Sequence, residues 1–386
     1  MTPAARTEAA VELLDQIIVA ARDGGAAADT LVSRYFGTRR YAGSKDRRAV
    51  RDLVYAAIRI AGDIPASGRA AMLSLADRDP AIAATFDGSA HGPAPIEDGE
   101  PRATSGVAPA WLEQALIASG VPSADHAALI DRAPLDVRLN RLKGVASPIE
   151  GEPIAGLPDA LRLPSGTNVE PFAGTLEVQD AGSQIVAMAA AARPGALVVD
   201  LCAGAGGKTL ALAAAMANQG RIIAADIDRA RLQRLAPRAE KAGVTIVETR
   251  LLDAKREGEM LSDLDGSADT VLIDAPCSGT GTWRRNPEAR WRLTPDRLER
   301  LVASQRNVLA IGAPLVRPGG TLVYIVCSLL DAEGADQVDT FLADHPGWTA
   351  EIPALPAGRE RRAGIRLDPA HDGTDGFFVA RLRAPC

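Results

Sequence analysis

The run VVDLCAGAGGKTLALAAAM, residues 198–216, decides the fold. An apolar, β-rich start ends near Asp200, the small residues 202–207 turn the chain, and an Ala/Leu-rich stretch of helical composition follows. Strand, tight turn and helix in that order form a unit of a doubly wound parallel sheet, with backbone amides at the helix N-terminus able to approach a ligand. Outward from it, LVVDL (197–201), IIAAD (222–226), VTIVE (244–248), TVLID (270–274) and TLVYIV (321–326) alternate with helical stretches. The pattern predicts an α/β, Rossmann-like sheet over residues 180–386. Thr294 as cap and Pro295 at the first position mark the start of the helix before TLVYIV.

Upstream the texture changes. EAAVELLDQIIVAA (8–21) places Val11, Leu14, Ile18 and Ala21 on one helical face, and SKDRRAVRDLVYAAIRIAG (44–62) does the same with Val50, Leu53, Val54, Ala57, Ile58 and Ala61. FDGSAHGPAPIEDGEPRATSG (86–106) interrupts this periodicity and reads as a linker or exposed loop. A helix around WLEQALIASG, an alternating strand DVRLNRL and short strands ALRLPSG and GTLEVQD then suggest a small α/β module. The expected domains are therefore 1–100, all-helical; 101–179, small α/β; and 180–386, Rossmann-like.

With 386 residues, 47% apolar and 24% charged, the chain can build two or three cores. It has no run of eighteen uncharged apolar residues, and its N-terminus is acidic and amphipathic, so a cytoplasmic protein without membrane association is expected. The formal net charge of −6 excludes a uniformly basic surface. Locally, Arg34, Arg39, Arg40, Lys45, Arg47, Arg48 and Arg51 face only Asp46, a cluster that can neutralise phosphates; the alternative is a solvated helix face. WRRNPEARWR (283–292) can grip phosphate and stack a base, or it is a loop whose tryptophans cap a core.

In a dinucleotide or S-adenosylmethionine fold, an acid at the end of the second strand binds ribose hydroxyls about twenty residues after the glycine loop. Asp226 meets that spacing, and Asp253, after the third strand, is a candidate for the adenine end or a plain loop acid. GGKT is similar to the end of a P-loop, but that motif needs a glycine five residues before Gly207, where Cys202 stands.

Cys202, Cys277, Cys327 and Cys386 show no C-x-x-C pair, so neither a metal site nor a disulfide framework is expected. Cys277 follows the fourth strand and Cys327 the fifth, which puts both thiols in one crevice if those strands are neighbours. Methylating carbon 5 of a pyrimidine requires thiolate attack on carbon 6, then removal of the carbon-5 proton and elimination of the enzyme. Two thiols suit that sequence, whereas a lone free cysteine is usually a small buried hydrophobe. A thiol at its reference pKa is only roughly 3% ionised at neutral pH, and Lys208 or the pair Arg284 and Arg285 are the cations available to help.

DLCAGAGGKT, ADID, DAPCSGTGTWRRNP and YIVCS, in this order, resemble the Nop/Sun family of RNA cytosine-5 methyltransferases, as do RAPLDVRLN, GTLEVQDAGSQ and DGTDGFFVARL; together they span about 105–386. The helical N-terminus, especially RRYAGSKDRRAVRDLVYAAIR, looks like the NusB-like RNA-binding domain of bacterial 16S rRNA methyltransferases of the Fmu/Sun type. The resemblance implies S-adenosyl-L-methionine as cofactor and 16S rRNA as substrate, with no metal and no stable protein partner. It implies Cys327 as nucleophile and Cys277 as the residue that assists release. Asp274 would touch both cofactor and cytosine, and Lys208 would steady the loop. Cys202, Ala203, Gly204, Ala205, Gly206, Gly207, Lys208, Asp226, Arg231, Asp253 and Asp274 would line the cofactor. Where the family commonly has Thr before the nucleophile, this chain has Val326. A transfer-RNA enzyme, or an RNA-binding assembly factor without catalysis, are the alternatives.

Overall fold

In the computed structural model, residues 1–144 and 147–386 are described, and the chain divides into two compact units. One comprises Met1–Arg132 with Thr282–Thr294, and the other Ala133–Gly281 with Pro295–Cys386.

The first unit is built from helices α1 (Pro3–Asp23), α2 (Ala28–Thr38), α3 (Ser44–Ile60), α4 (Gly68–Ala76), α5 (Pro80–Ala83), α6 (Ala110–Ala118) and α7 (His126–Leu129). Thr2 caps α1, accepting from Ala5 N–H, and Pro3 occupies its first turn, where its missing N–H costs nothing. Leu13, Leu14, Ile17 and Ile18 of α1 meet Val50, Val54, Ala57 and Ile58 of α3 in one core, so the amphipathic periodicity of both segments is satisfied.

The expected boundary near residue 100 is not where the units divide, since residues 101–132 belong with the helices. The Gly/Pro-rich stretch is bonded to them rather than free. Ala103 N–H reaches Ala70 O at 3.2 Å and Ser74 Oγ at 2.9 Å, and Gly62 N–H reaches Thr104 O at 2.9 Å. Composition marked a loop correctly, but backbone pairing holds it to the helical unit.

In the second unit, β1 (Leu135–Leu139), β2 (Glu152–Ile154), β3 (Leu157–Leu163) and β4 (Leu176–Val178) form an antiparallel sheet in the order β2-β3-β1-β4. The strands expected in the small α/β module are therefore present, on a sheet of their own. The larger sheet contains β5 (Leu197–Asp200), β6 (Arg221–Asp226), β7 (Val247–Leu251), β8 (Ala268–Asp274), β9 (Val316–Val326), β10 (Thr349–Glu351), β11 (Arg359–Arg361), β12 (Gly364–Leu367) and β13 (Phe377–Arg383). Its order is β11-β12-β13-β9-β8-β5-β6-β7, with β10 pairing β13. Strands β5 to β9 are parallel, and β13 runs antiparallel beside β9.

Both faces of the sheet are covered, which is why its strands read as continuous apolar runs. Val198, Ile222, Ala224, Leu272, Val323 and Ile325 point to one core, and Val199, Ile223, Val271, Ile273, Tyr324 and Val326 to the other. The covering helices include α8 (Ala181–Met188), α9 (Gly207–Ala215), α10 (Arg229–Leu232), α11 (Leu235–Ala242), α12 (Glu257–Leu261), α13 (Pro295–Gly312), α14 (Ala335–Asp344) and α15 (Pro369–Asp372). The third strand begins at Val247, later than expected, because Gly243 in the left-handed region ends α11 and residues 244–246 lead into the sheet. No described helix is long and apolar enough to cross a membrane.

Candidate active site at the carboxyl edge of the parallel sheet

The three acids singled out in the sequence, Asp226, Asp253 and Asp274, follow or close strands of the parallel sheet, and Asp200 joins them. Asp200 closes β5, Asp226 closes β6, Asp274 closes β8, and Asp253 follows β7. Since β5 lies between β6 and β8, this edge contains the point where the sheet winds in opposite directions, the usual ligand crevice of such folds.

The glycine loop is held by its own backbone. Gly206 N–H bonds Ala203 O at 2.9 Å, Ala203 N–H bonds Ala225 O at 3.0 Å, and Gly204 N–H bonds Asp226 Oδ2 at 2.7 Å. These three amides shape the turn that leads into α9, whose own N-terminal amides begin at Gly207. Gly206 has φ +85°, and a Cβ there would come within 2.1 Å of Leu235 Cδ1, so both conformation and space require glycine. The Arg231 guanidinium lies against Gly204, where an added Cβ would meet Nη2 at 2.6 Å. Arg238, which the sequence reading passed over, donates to Ala205 O and pairs with Glu177 at 2.6 Å.

Asp226 accepts Gly204 N–H through one oxygen and Asp228 N–H at 2.7 Å through the other. Each carboxylate oxygen has a second lone pair, so a ribose diol can still be accommodated. Asp253 is exposed, with its N–H 3.2 Å from Met260 Sδ. Asp200 is fully buried and accepts Thr209 Oγ1–H at 2.6 Å, while its Oδ1 has no protein partner. Burial first, and the neighbouring Asp274 charge next, push its pKa up to about 7, against the hydrogen bond from Thr209. Cys202 is also held neutral, by burial and then by the carboxylates of Asp226, Asp200 and Asp274.

The two candidate catalytic thiols come together. Parallel pairing of β8 with β9 continues past the strand end through Ala275 N–H to Ile325 O at 2.9 Å, and Cys277 Sγ lies 3.2 Å from Cys327 Sγ. The hydrogen bond to Cys327, followed by burial, raises the Cys277 thiol well above its ordinary pKa. Either sulfur can donate in that contact. Lys208, at the start of α9, forms a 2.7 Å ion pair with Asp274. Burial works against its ammonium, but Asp274 and then Cys327 outweigh that penalty and hold the pKa above the lysine value. Of the named cations, Lys208 is the one whose contacts place it at the site. Val326 points into the core rather than the crevice, because alternation along β9 turns it away from Cys327. No group of described His, Cys, Asp or Glu side chains has metal-ligand geometry.

The segment 283–292 is built into the helical unit. Trp283 is fully buried, and Trp291 lies in the helical core with its Nε1–H 3.1 Å from Ala61 O. Arg290, fully buried, donates through Nη2 to Ile58 O at 2.6 Å and Ala61 O at 2.7 Å, and burial brings its pKa down to about 9. Arg292 donates to Gly25 O and Ala26 O, and Glu288 accepts Ala28 N–H at 3.0 Å. These side chains satisfy backbone groups that helix ends leave open. The core-capping reading holds here, and the base-stacking one does not, because both indoles are enclosed.

A sequence model described as 16S rRNA methyltransferase RsmB/F matches residues 187–383. The ribosomal RNA small subunit methyltransferase B of Sodalis glossinidius is 32% identical over 311 residues, covering 75% of this chain and 69% of that one. The probable ribosomal RNA small subunit methyltransferase B of Synechocystis is 38% identical over 240 residues, covering 60% of this chain. The chain spans about half the length of that relative, 53%. In fold, the crystal structure of PH0851 superposes with a TM-score of 0.78 over 99% of both chains at 23% identity.

Proposed function

The chain belongs to the 16S rRNA methyltransferase RsmB/F family, and from that premise we propose that it methylates carbon 5 of a cytosine in 16S rRNA through a covalent adduct on Cys327, with S-adenosyl-L-methionine as methyl donor. The observation that carries the reading is the pair of sulfurs 3.2 Å apart at the ends of adjacent parallel strands, beside the Lys208–Asp274 ion pair.

When bound, the donor supplies an electrophilic methyl group on a sulfonium centre. The residues present fit it: Asp226 offers spare lone pairs for ribose hydroxyls, and the Asp274 carboxylate stands at the same sheet edge. Arg231 lies against Gly204, and Asp253 is exposed after β7.

The raised Cys277 pKa supports Cys327 as the sulfur that attacks carbon 6. Lys208 holds the Asp274 side chain through their ion pair and places its ammonium where it interacts with Cys327. Attack raises electron density at carbon 5, which takes the methyl group. A base takes the carbon-5 proton, the C6–S bond breaks to re-form the 5,6 double bond with Cys327 leaving as a thiolate, and the Cys277 thiol assists by hydrogen-bonding that sulfur. The target cytosine enters unstacked, since the chemistry needs both faces of the ring. Exposed Arg34, Arg40, Lys45, Arg47, Arg48 and Arg51 make the helical unit the phosphate-binding part.

The test is a bisulfite map of total RNA from cells with and without the gene. Loss of one 5-methylcytosine in 16S rRNA is expected. A lost site in transfer RNA instead would move the substrate, and an unchanged map would remove the enzymatic reading.

A further inference from the structure

Glu333 lies in a 3-10 turn after β9 and is fully buried, yet no cation pairs with it among the described contacts. Four donors converge on its carboxylate. Ser278 N–H reaches Oε1 at 2.7 Å and Gln305 Nε2–H reaches it at 3.0 Å, while Ser328 Oγ–H at 2.5 Å and Ser278 Oγ–H reach Oε2. Ser278 directly follows Cys277, and Ser328 directly follows Cys327.

The surroundings tighten the same knot. Gln305, from α13, also bonds Pro276 O at 2.9 Å. Thr280 Oγ1 lies 3.0 Å from Ser328 Oγ and accepts Leu329 N–H at 2.9 Å, and Gly281 N–H bonds Cys327 O at 3.1 Å. Tyr324 Oη–H donates to Glu333 O at 2.6 Å, which fixes the turn itself. A carboxylate offers only acceptors, so four donors arranged around it form a complete set without a proton on the group. Removing it would leave those donors unpaired in an enclosed space.

We propose that Glu333 is a positioning residue for the thiol pair: its carboxylate ties the loop after Cys277 to the loop after Cys327 and fixes the two sulfurs as one unit. Its charge also contributes to keeping Cys277 protonated, so geometry and proton placement have a common source. The catalytic consequence rests on the function proposed above; the clamp itself does not.

The experiment uses the full-length protein and Glu333→Gln, which keeps the shape and removes the charge, with Ser278→Ala/Ser328→Ala as a second variant that removes both hydroxyl donors. Rates of iodoacetamide alkylation, measured across pH and assigned to each cysteine by peptide mass spectrometry, report the thiols without RNA. In Glu333→Gln the alkylation midpoint of Cys277 is expected to move to lower pH. Methylation kcat should fall at least about tenfold in both variants, with KM for RNA and cofactor within about twofold. Wild-type alkylation profiles and turnover in both variants would overturn the proposal. Shifted profiles in a protein with no methylation of RNA would uphold the clamp and sink the function reading instead.

Discussion

Residues 271–281 and 283–292 are neighbours in sequence, and both advertise chemistry, one through Cys277 and the other through four arginines and two tryptophans. In the first, the reactive atom faces another reactive atom, with Cys277 Sγ 3.2 Å from Cys327 Sγ. In the second, the polar atoms face helix ends, as Arg290 does with Ile58 O and Ala61 O. Residue type alone does not separate a site from a scaffold; the partner does. A side chain whose donors are already matched by backbone carbonyls has little left for a ligand, whereas two thiols offer each other only a weak bond.

The contrast can be broken most sharply at the thiols. Cys327→Ala is expected to lower methyl incorporation into RNA by on the order of 10³-fold or more, in a radiolabel assay. Cys277→Ala should leave RNA attached to Cys327 as a band retarded on a denaturing gel; trapping by Cys327→Ala instead would reverse the assignment. Trp291→Ala should act on stability, costing about 3–5 kcal/mol of the helical unit's unfolding free energy in a denaturant titration. If it weakened RNA binding while leaving unfolding unchanged, the scaffold reading of 283–292 would fail.

Asp200 sharpens the comparison through pH. Its folded pKa of about 7 lies above the unfolded carboxyl value of about 3.9, so the folded state retains a proton that the unfolded state releases. Its contribution is full below the unfolded value and is lost as pH rises through about 7. Asp200→Asn should flatten that part of the stability profile, read from urea midpoints at pH 5 and pH 8; an unchanged slope would contradict it. The smallest effect is expected at the exposed cluster. Lys45→Ala/Arg48→Ala should reduce the salt slope of RNA binding by roughly two and leave the thermal midpoint in place. A wild-type slope would leave these residues as a solvated helix face.

The parallel sheet was legible because each of its strands is buried on both faces, which compresses into short β-branched runs such as IIAAD and TLVYIV. The strand-end residues were legible for the same reason: once β8 and β9 are placed side by side, Cys277 and Cys327 must meet at their ends. Glu333 was not legible, because it sits in an unremarkable DAEG turn and its donors come from Ser278, fifty-five residues back, and from Ser328 and Gln305. The division near residue 132 was hidden for a related reason. A Gly/Pro-rich stretch announces irregular backbone, but not the hydrogen bonds from Ala103 and Gly62 that retain it. The role of 283–292 needed the open carbonyls at 25–26 and 58–61, which no local pattern in 283–292 encodes.

The helical unit contains a stretch, Thr282–Thr294, that the chain delivers only after four of the nine strands of the larger sheet have been specified. Its core tryptophan and the arginine that closes the end of α3 are absent from the first 132 residues. As a matter of modular inheritance, this unit is not a bead that one cut can release. A fragment ending at Arg132 would carry open helix ends and a missing indole. During synthesis, too, the helices emerge first but complete their core only when residue 291 has left the ribosome.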